Sequence, residues 1–223
     1  MNGCFVTGTD TGIGKTRASV ALLHALRAQG HRAIGMKPVA SGCEATAGGW
    51  RNEDALALQD ASDPRPDYGD LNPYALPAPL APEIAAREAG IAIDLERLDA
   101  AWQRLRAQAD AVVVEGVGGW AAPLSATLDQ IDLVRRWRLP VVMVVGLRLG
   151  CLNHARLTAR AIAGDGATLL GWIANDIDPQ MARREENFAL LQARLEAPCL
   201  GRIPHQAGPV DARIGRFIDG LRI

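Results

Sequence analysis

The chain has 223 residues, 48% of them hydrophobic and 22% charged, with 24 Lys+Arg against 25 Asp+Glu. The formal charge of −1 leaves no electrostatic footprint for nucleic acid or an anionic membrane surface, and the apolar share suffices for one large core. The basic residues are lopsided: 22 are Arg and two are Lys, so the compact ammonium is kept only at Lys15 and Lys37.

In chain order, residues 4–7 (CFVT) predict a buried strand ended by Gly8. A helix follows from Lys15 to about Gln29, with Ala18, Ala21, Leu22 and Leu26 on one face and Gly30 as its stop. Residues 33–39 (AIGMKPV) predict a second strand closed by Pro38, then a loop over residues 40–49. Residues 63–82 are Pro-rich and read as a linker, too short to divide two domains. Residues 94–108 suit a helix, and 111–114 a third buried strand leading into Glu115-Gly116. Residues 141–145, 169–174 and 199–203 supply three more strands. Apolar strands without alternation, separated by helices, predict an α/β fold with a mostly parallel sheet and helices on both faces. One doubly wound domain over residues 1–223 is expected. Its ligands should gather beyond the carboxyl ends of the strands, at residues 8–16, 37–41, 115–119, 146–153 and 175–176.

The longest apolar stretch, residues 139–147, is too short to span a bilayer. No Lys or Arg precedes Lys15, and Cys4, Cys43, Cys151 and Cys199 show no metal-site or redox spacing. These features predict a cytoplasmic protein with reduced thiols. The tryptophans Trp102, Trp120 and Trp137 and the histidines His24, His31 and His154 read as packing or surface residues.

Gly8-Thr9-Asp10-Thr11-Gly12-Ile13-Gly14-Lys15-Thr16 follows a strand and opens a helix, the context of a nucleotide phosphate loop. Backbone N–H groups and the helix dipole would cradle phosphates, Lys15 would reach the terminal ones, and the Thr16 hydroxyl would ligate Mg²⁺. Five residues separate Gly8 from Gly14 in place of the usual four, which points to a subfamily. Glu115, ending a strand, and Asp54, in a first helical turn, are the carboxylates expected to complete the metal set with Thr16. For Asp54, plain helix-dipole electrostatics is an equal alternative.

Six blocks in order then carry a family resemblance. They are this loop, Lys37-Pro38-Val39-Ala40-Ser41-Gly42, Arg51-Asn52-Glu53-Asp54-Ala55-Leu56, Val114-Glu115-Gly116-Val117-Gly118-Gly119-Trp120, Gly150-Cys151-Leu152-Asn153-His154-Ala155 and Trp172-Ile173-Ala174-Asn175-Asp176. Over nearly its whole length the chain resembles the dethiobiotin synthetase family. The resemblance implies an ATP- and Mg²⁺-dependent cyclo-ligase of biotin synthesis that joins 7,8-diaminononanoate and CO₂ through a carbamate and a carbamic–phosphoric mixed anhydride. By that resemblance Lys37, Lys15, Thr11 and Ser41 are catalytic, with Lys37 and Ser41 on the substrate. Gly12, Ile13, Gly14, Lys15, Thr16 and Arg17, with Gly116, Val117 and Gly118, would hold the nucleotide. Asn175 and Asp176 would face its base, and Pro204, His205 and Gln206 would frame the other edge. The amides of Gly150, Cys151, Leu152 and Asn153 would receive the substrate's distant carboxylate across a homodimer interface, with Asn153 capping the helix that follows.

Three departures from the family pattern follow: Gly12 stands where many relatives carry an acidic residue, Asn187 replaces an aromatic, and His205 differs near the base. The runner-up reading is a partner-regulated ATPase of the plasmid- or division-site-positioning class. That class places a signature Lys early in the loop, where this chain has Asp10 and Thr11. A non-catalytic nucleotide module would leave Lys37, Ser41 and the Gly150 turn without a purpose, and an amidoligase would need a glutaminase for which 223 residues leave no room.

Overall fold

The computed structural model describes residues 3–205 and 212–218. In chain order the elements are β1 (Gly3–Gly8), α1 (Lys15–Ala28), β2 (Ala33–Met36), β3 (Val39–Ser41), β4 (Glu44–Thr46) and β5 (Gly49–Arg51). Next come α2 (Glu53–Ala61), α3 (Tyr68–Leu71), β6 (Tyr74–Leu76), α4 (Pro82–Glu88), α5 (Leu95–Gln108) and β7 (Ala111–Glu115). The chain continues through β8 (Pro123–Ser125), β9 (Leu128–Asp129), α6 (Gln130–Trp137), β10 (Val141–Gly146) and α7 (Cys151–Gly164). It closes with β11 (Leu169–Asn175), α8 (Arg184–Arg194), β12 (Cys199–Ile203) and a 3-10 helix over Ala212–Phe217.

Six strands form one sheet in the order β12-β11-β10-β1-β7-β2. Every pairing in it is parallel. The chain leaves β1 for β2 on one side and reaches β10 on the other. The switch point therefore lies beside β1, at whose carboxyl end the phosphate loop begins. Alternate residues of each strand enter different cores. Cys4, Val6, Val113, Val142, Val144 and Ile173 pack with α1 and α2. Phe5, Val112, Val114, Val141, Met143, Val145 and Trp172 pack with α5, α7 and α8 on the other face. Both faces being covered, the strands need no polar alternation, which is why they read as unbroken apolar runs.

Three segments differ from what the sequence predicts. Residues 33–39 are not one strand: β2 stops at Met36, and β3 belongs to a separate two-stranded parallel sheet with β6. Pro38 has no N–H to continue the ladder, and the Lys37 N–H is bound instead by Leu71 O. Residues 63–82 are no linker, since they hold α3 and β6 and bury Leu71, Tyr74 and Leu76. Residues 40–49 include β4, which pairs antiparallel with β5 in a short hairpin. Trp102 and Trp137 stack at 5.0 Å between ring centroids, as packing residues. The four cysteines are free thiols. Among the described residues, no helix is long and apolar enough to cross a membrane, and no cluster of three or more His, Cys, Asp or Glu could hold a metal.

Candidate active site

A cleft of about 960 Å³ opens at the carboxyl ends of β1, β2 and β7. Thr11, Gly12, Gly14, Lys15, Thr16 and Arg17 line it from the phosphate loop and the start of α1. Lys37, Ser41 and Asp54 line it from the second wall, and Val117, Gly118 and Gly119 from the third. Gly12 and Gly14 carry φ of 71° and 86°, the left-handed region that lets the loop curl. Ile13 is buried beneath the loop and anchors it in the core.

Lys37 is the centre of the charge pattern. Its side chain is 4% exposed, and its Nζ donates to Glu115 Oε1 at 2.5 Å, Asp54 Oδ2 at 3.1 Å and Gly116 O at 3.2 Å. Three protons thus meet three acceptors. Burial pushes this ammonium down, but the Glu115 and Asp54 carboxylates outweigh it and its pKa stands above the ordinary value. Burial likewise pushes Asp54 up, and Lys37 and the Thr16 hydroxyl hold it below the usual carboxylate range on balance. Lys15 has weaker support: its Nζ donates to Asp10 O at 3.0 Å. Burial, aided by the neighbouring Lys37 charge, lowers its pKa to about 8.

The Thr16 hydroxyl lies 2.7 Å from Asp54 Oδ1 and 3.0 Å from Glu115 Oε1. Glu115 Oε2 is buried with no hydrogen-bond partner. An all-oxygen donor set of two carboxylates and a hydroxyl, with one orphaned carboxylate oxygen, fits Mg²⁺, which keeps several waters and phosphate oxygens as further ligands. Ser41 Oγ is also buried without a partner while its residue lines the cleft. A buried hydroxyl left unpaired by the protein is suited to bond a ligand.

Other expected residues lie apart. Asn175 is buried beneath the loop, and its Nδ2 donates to Ile13 O at 2.9 Å. A Cβ on Gly14 would meet that nitrogen at 2.0 Å, so the loop and Asn175 fit closely. Asp176 takes both Nε and Nη2 of Arg202, at 3.0 and 3.1 Å. Pro204 and His205 follow β12, with His205 Nδ1 3.2 Å from Asp176 O. Gln206 falls outside the described residues. Gly150, Cys151, Leu152 and Asn153 form the start of α7 and are not among the residues lining this chain's cleft. The cap of α7 is Gly150, at φ 95°, and not Asn153, which sits one turn inside where its side chain cannot act as N-cap. The Cys151 N–H is occupied by Arg148 O at 3.1 Å, leaving the first-turn amides of Leu152 and Asn153 as the ones a helix does not bond internally. Asn187 lies in α8 with its Nδ2 on Arg183 O.

Several residues that hold the site escaped the sequence reading. Asn52 caps α2 by accepting from Ala55 N, which sets the turn that carries Asp54. Asn72 Nδ2 donates to Lys37 O at 2.7 Å, steadying the backbone of that lysine. Asp10 binds the Thr11 N–H with one carboxylate oxygen and Arg148 with the other, tying the phosphate loop to the turn before α7. The Asn52 cap was visible as Asn followed by an acidic first turn. The others are long-range pairings that no local spacing encodes.

A family profile described as "AAA domain" matches residues 2–212. An ATP-dependent dethiobiotin synthetase BioD of Xanthomonas euvesicatoria pv. vesicatoria is 71% identical over 204 residues, covering 92% of this chain and 91% of the relative. Its counterpart in Xanthomonas oryzae pv. oryzae is 67% identical over 219 residues, covering 98% and 96%. Among solved structures, the MinD cell division protein of Aquifex aeolicus superposes with a TM-score of 0.56 at 17% identity, covering 98% of this chain and 88% of that one. A ParA family ATPase from Chlorobium tepidum gives 0.56 at 14% identity, covering 92% and 86%. The two structural likenesses establish the P-loop NTPase fold and nothing finer.

Proposed function

The chain belongs to the ATP-dependent dethiobiotin synthetase family, and on that premise we propose how its cleft works. The protein is an ATP-dependent ligase that forms dethiobiotin in biotin biosynthesis. The partner-regulated ATPase reading is not favoured, because the relatives at 67–71% identity are synthetases while the positioning ATPases share only the fold. The substrates are 7,8-diaminononanoate, CO₂ and ATP. One amine adds to CO₂ and loses a proton, giving a carbamate. A carbamate oxygen attacks the γ-phosphorus of ATP, and ADP leaves. The second amine then attacks the carbonyl of the mixed anhydride, closing the urea and expelling phosphate.

The observation that carries this reading is the meeting of Lys37 with Asp54 and the phosphate loop in one cleft, with the buried Glu115 carboxylate paired to Lys37 beneath it. The reaction brings an anionic carbamate to an anionic triphosphate, so catalysis is mostly positioning and charge neutralisation. Lys15 and Lys37 supply two neighbouring ammoniums, one from the phosphate loop and one from the end of β2, and Thr11 and Ser41 supply hydroxyls to the carbamate side. Thr16, Asp54 and Glu115 would hold Mg²⁺. When bound, the metal would offset the phosphate charge. The remote carboxylate of the diamine would reach the first turn of α7 from a second copy of the chain, in a cytoplasmic homodimer. That the α7 turn does not line its own cleft supports this division of labour.

Purified protein with ATP, Mg²⁺, bicarbonate and 7,8-diaminononanoate should yield dethiobiotin by mass spectrometry, with ADP released in equal amount. ADP release that ignores the diamine, with no cyclic urea formed, would sink the reading.

A further inference from the structure

The turn formed by Gly116, Val117, Gly118 and Gly119 makes one wall of the cleft, and a buried side chain outside the cleft holds it. Gln130 opens α6 and is 1% exposed. Its Oε1 accepts the Val117 N–H at 2.7 Å, and its Nε2 donates to Gly119 O at 2.7 Å. Both ends of one carboxamide are therefore committed to one turn. The helix that carries it is itself fixed at its start, where Asp129 N–H donates to Asp132 Oδ2.

The first of these bonds reaches beyond the turn. The Val117 N–H and the Gly116 carbonyl belong to one planar peptide unit, and in a trans peptide the two groups point in opposite directions. Holding the N–H toward Gln130 aims the carbonyl the other way, where Lys37 Nζ lies 3.2 Å from it. Gly116 leaves the room for this arrangement. A Cβ there would stand 2.3 Å from Gln130 Oε1 and 2.9 Å from the Phe5 ring. Of the three acceptors around the Lys37 ammonium, Glu115 and Asp54 attract by charge from any direction. The Gly116 carbonyl is the neutral, directional one, and its direction is set from α6.

We propose that Gln130 is a positioning residue that aims the Lys37 ammonium through the peptide between Gly116 and Val117. The proposal rests on the preceding reading of Lys37 as the residue acting on the carbamate and the transferred phosphoryl group. Gln130→Met keeps the side chain's length and removes both hydrogen bonds. Turnover is expected to fall about 10- to 100-fold, the scale of a misplacement near 1 Å. Affinity for ATP should fall by a smaller factor than turnover: Val117 and Gly118 of the turn that Gln130 holds are expected on the nucleotide, but the phosphate loop supplies the larger set of contacts. Gln130→Asn, which withdraws the same carboxamide by one methylene, carries the same expectation and serves if the Met variant does not fold. A readout independent of turnover is the ¹⁵N spectrum of the side-chain ammoniums, which holds two lysine signals. The Lys37 signal should shift in the variants and the Lys15 signal should stay. Unchanged turnover, ATP affinity falling in step with turnover, or an unmoved Lys37 signal would each overturn the proposal. If the unaltered protein made no dethiobiotin, the reading of its function would fall, and the Lys37 signal would still decide the role of Gln130.

Discussion

At the scale of single residues, the two lysines are held in different ways. Lys37 is paired directly with carboxylates on two sides, whereas Lys15 donates to a carbonyl, feels Glu115, Asp54 and Asp10 only through longer-range attraction and sits beside another cation. The pKa of Lys15 is lowered to about 8 from 10.5. Between those two values the unfolded chain binds the proton more tightly, so the contribution of Lys15 to the stability of the ligand-free protein should rise with pH across that window, against the opposite slope that the buried Cys4 thiol adds above pH 9. Lys15→Met removes the buried, poorly compensated charge. It is expected to stabilise the ligand-free fold at pH 7 by about 2–3 kcal/mol, to remove the rise contributed by Lys15 between about pH 8 and 10.5 and to destroy ATP binding. Thermal melts at several pH values and ATP titration check all three outcomes. A site that improves stability when its cation is deleted is one where the charge is kept for the phosphate.

Elements place these residues, and α2 shows how. Asn52 stands outside the helix with extended backbone, and its side chain accepts from Ala55 N at 3.2 Å. The same side chain approaches Ser41 O, and the Asn52 N–H meets the Tyr68 hydroxyl at 2.8 Å. One cap thereby joins the segment carrying Asp54 to the strand carrying Ser41. Asn52→Ala should cost about 1 kcal/mol and lower Tm by roughly 2–4 °C. It should also weaken the dependence of turnover on Mg²⁺ at limiting metal, because Asp54 is then no longer fixed. A magnesium titration of initial rates tests this. Much of this scale was legible beforehand: β1, α1, α5, β7, β10, β11 and β12 follow from apolar runs and caps. The segment from Pro64 to Pro82 was not, because its prolines mask α3 and β6, whose short pairings depend on distant partners. The site divided in the same way. Lys15, Lys37, Thr16, Asp54 and Glu115 announced themselves by motif. Asn72, Arg148 and Gln130 act through contacts 35, 138 and 13 residues away and leave no local pattern.

For the whole molecule, the proposed second copy of the chain should meet the first at the turn before α7. Leu149 there is 92% exposed, a large apolar side chain left in the open beside the expected carboxylate site. Leu149→Asp is expected to shift sedimentation from dimer to monomer and to raise KM for the diamine at least tenfold, with KM for ATP little changed. A dimer that persists with an unaltered diamine KM would remove this surface from the interface. The central sheet has another consequence. Its alternating side chains feed two cores that share strand backbones and almost no side-chain contacts. Substitutions far apart on opposite faces, such as at Leu22 and Leu105, should combine without epistasis. One face can therefore be repacked while the other stands still, and the backbone between them keeps the phosphate loop in place through either change.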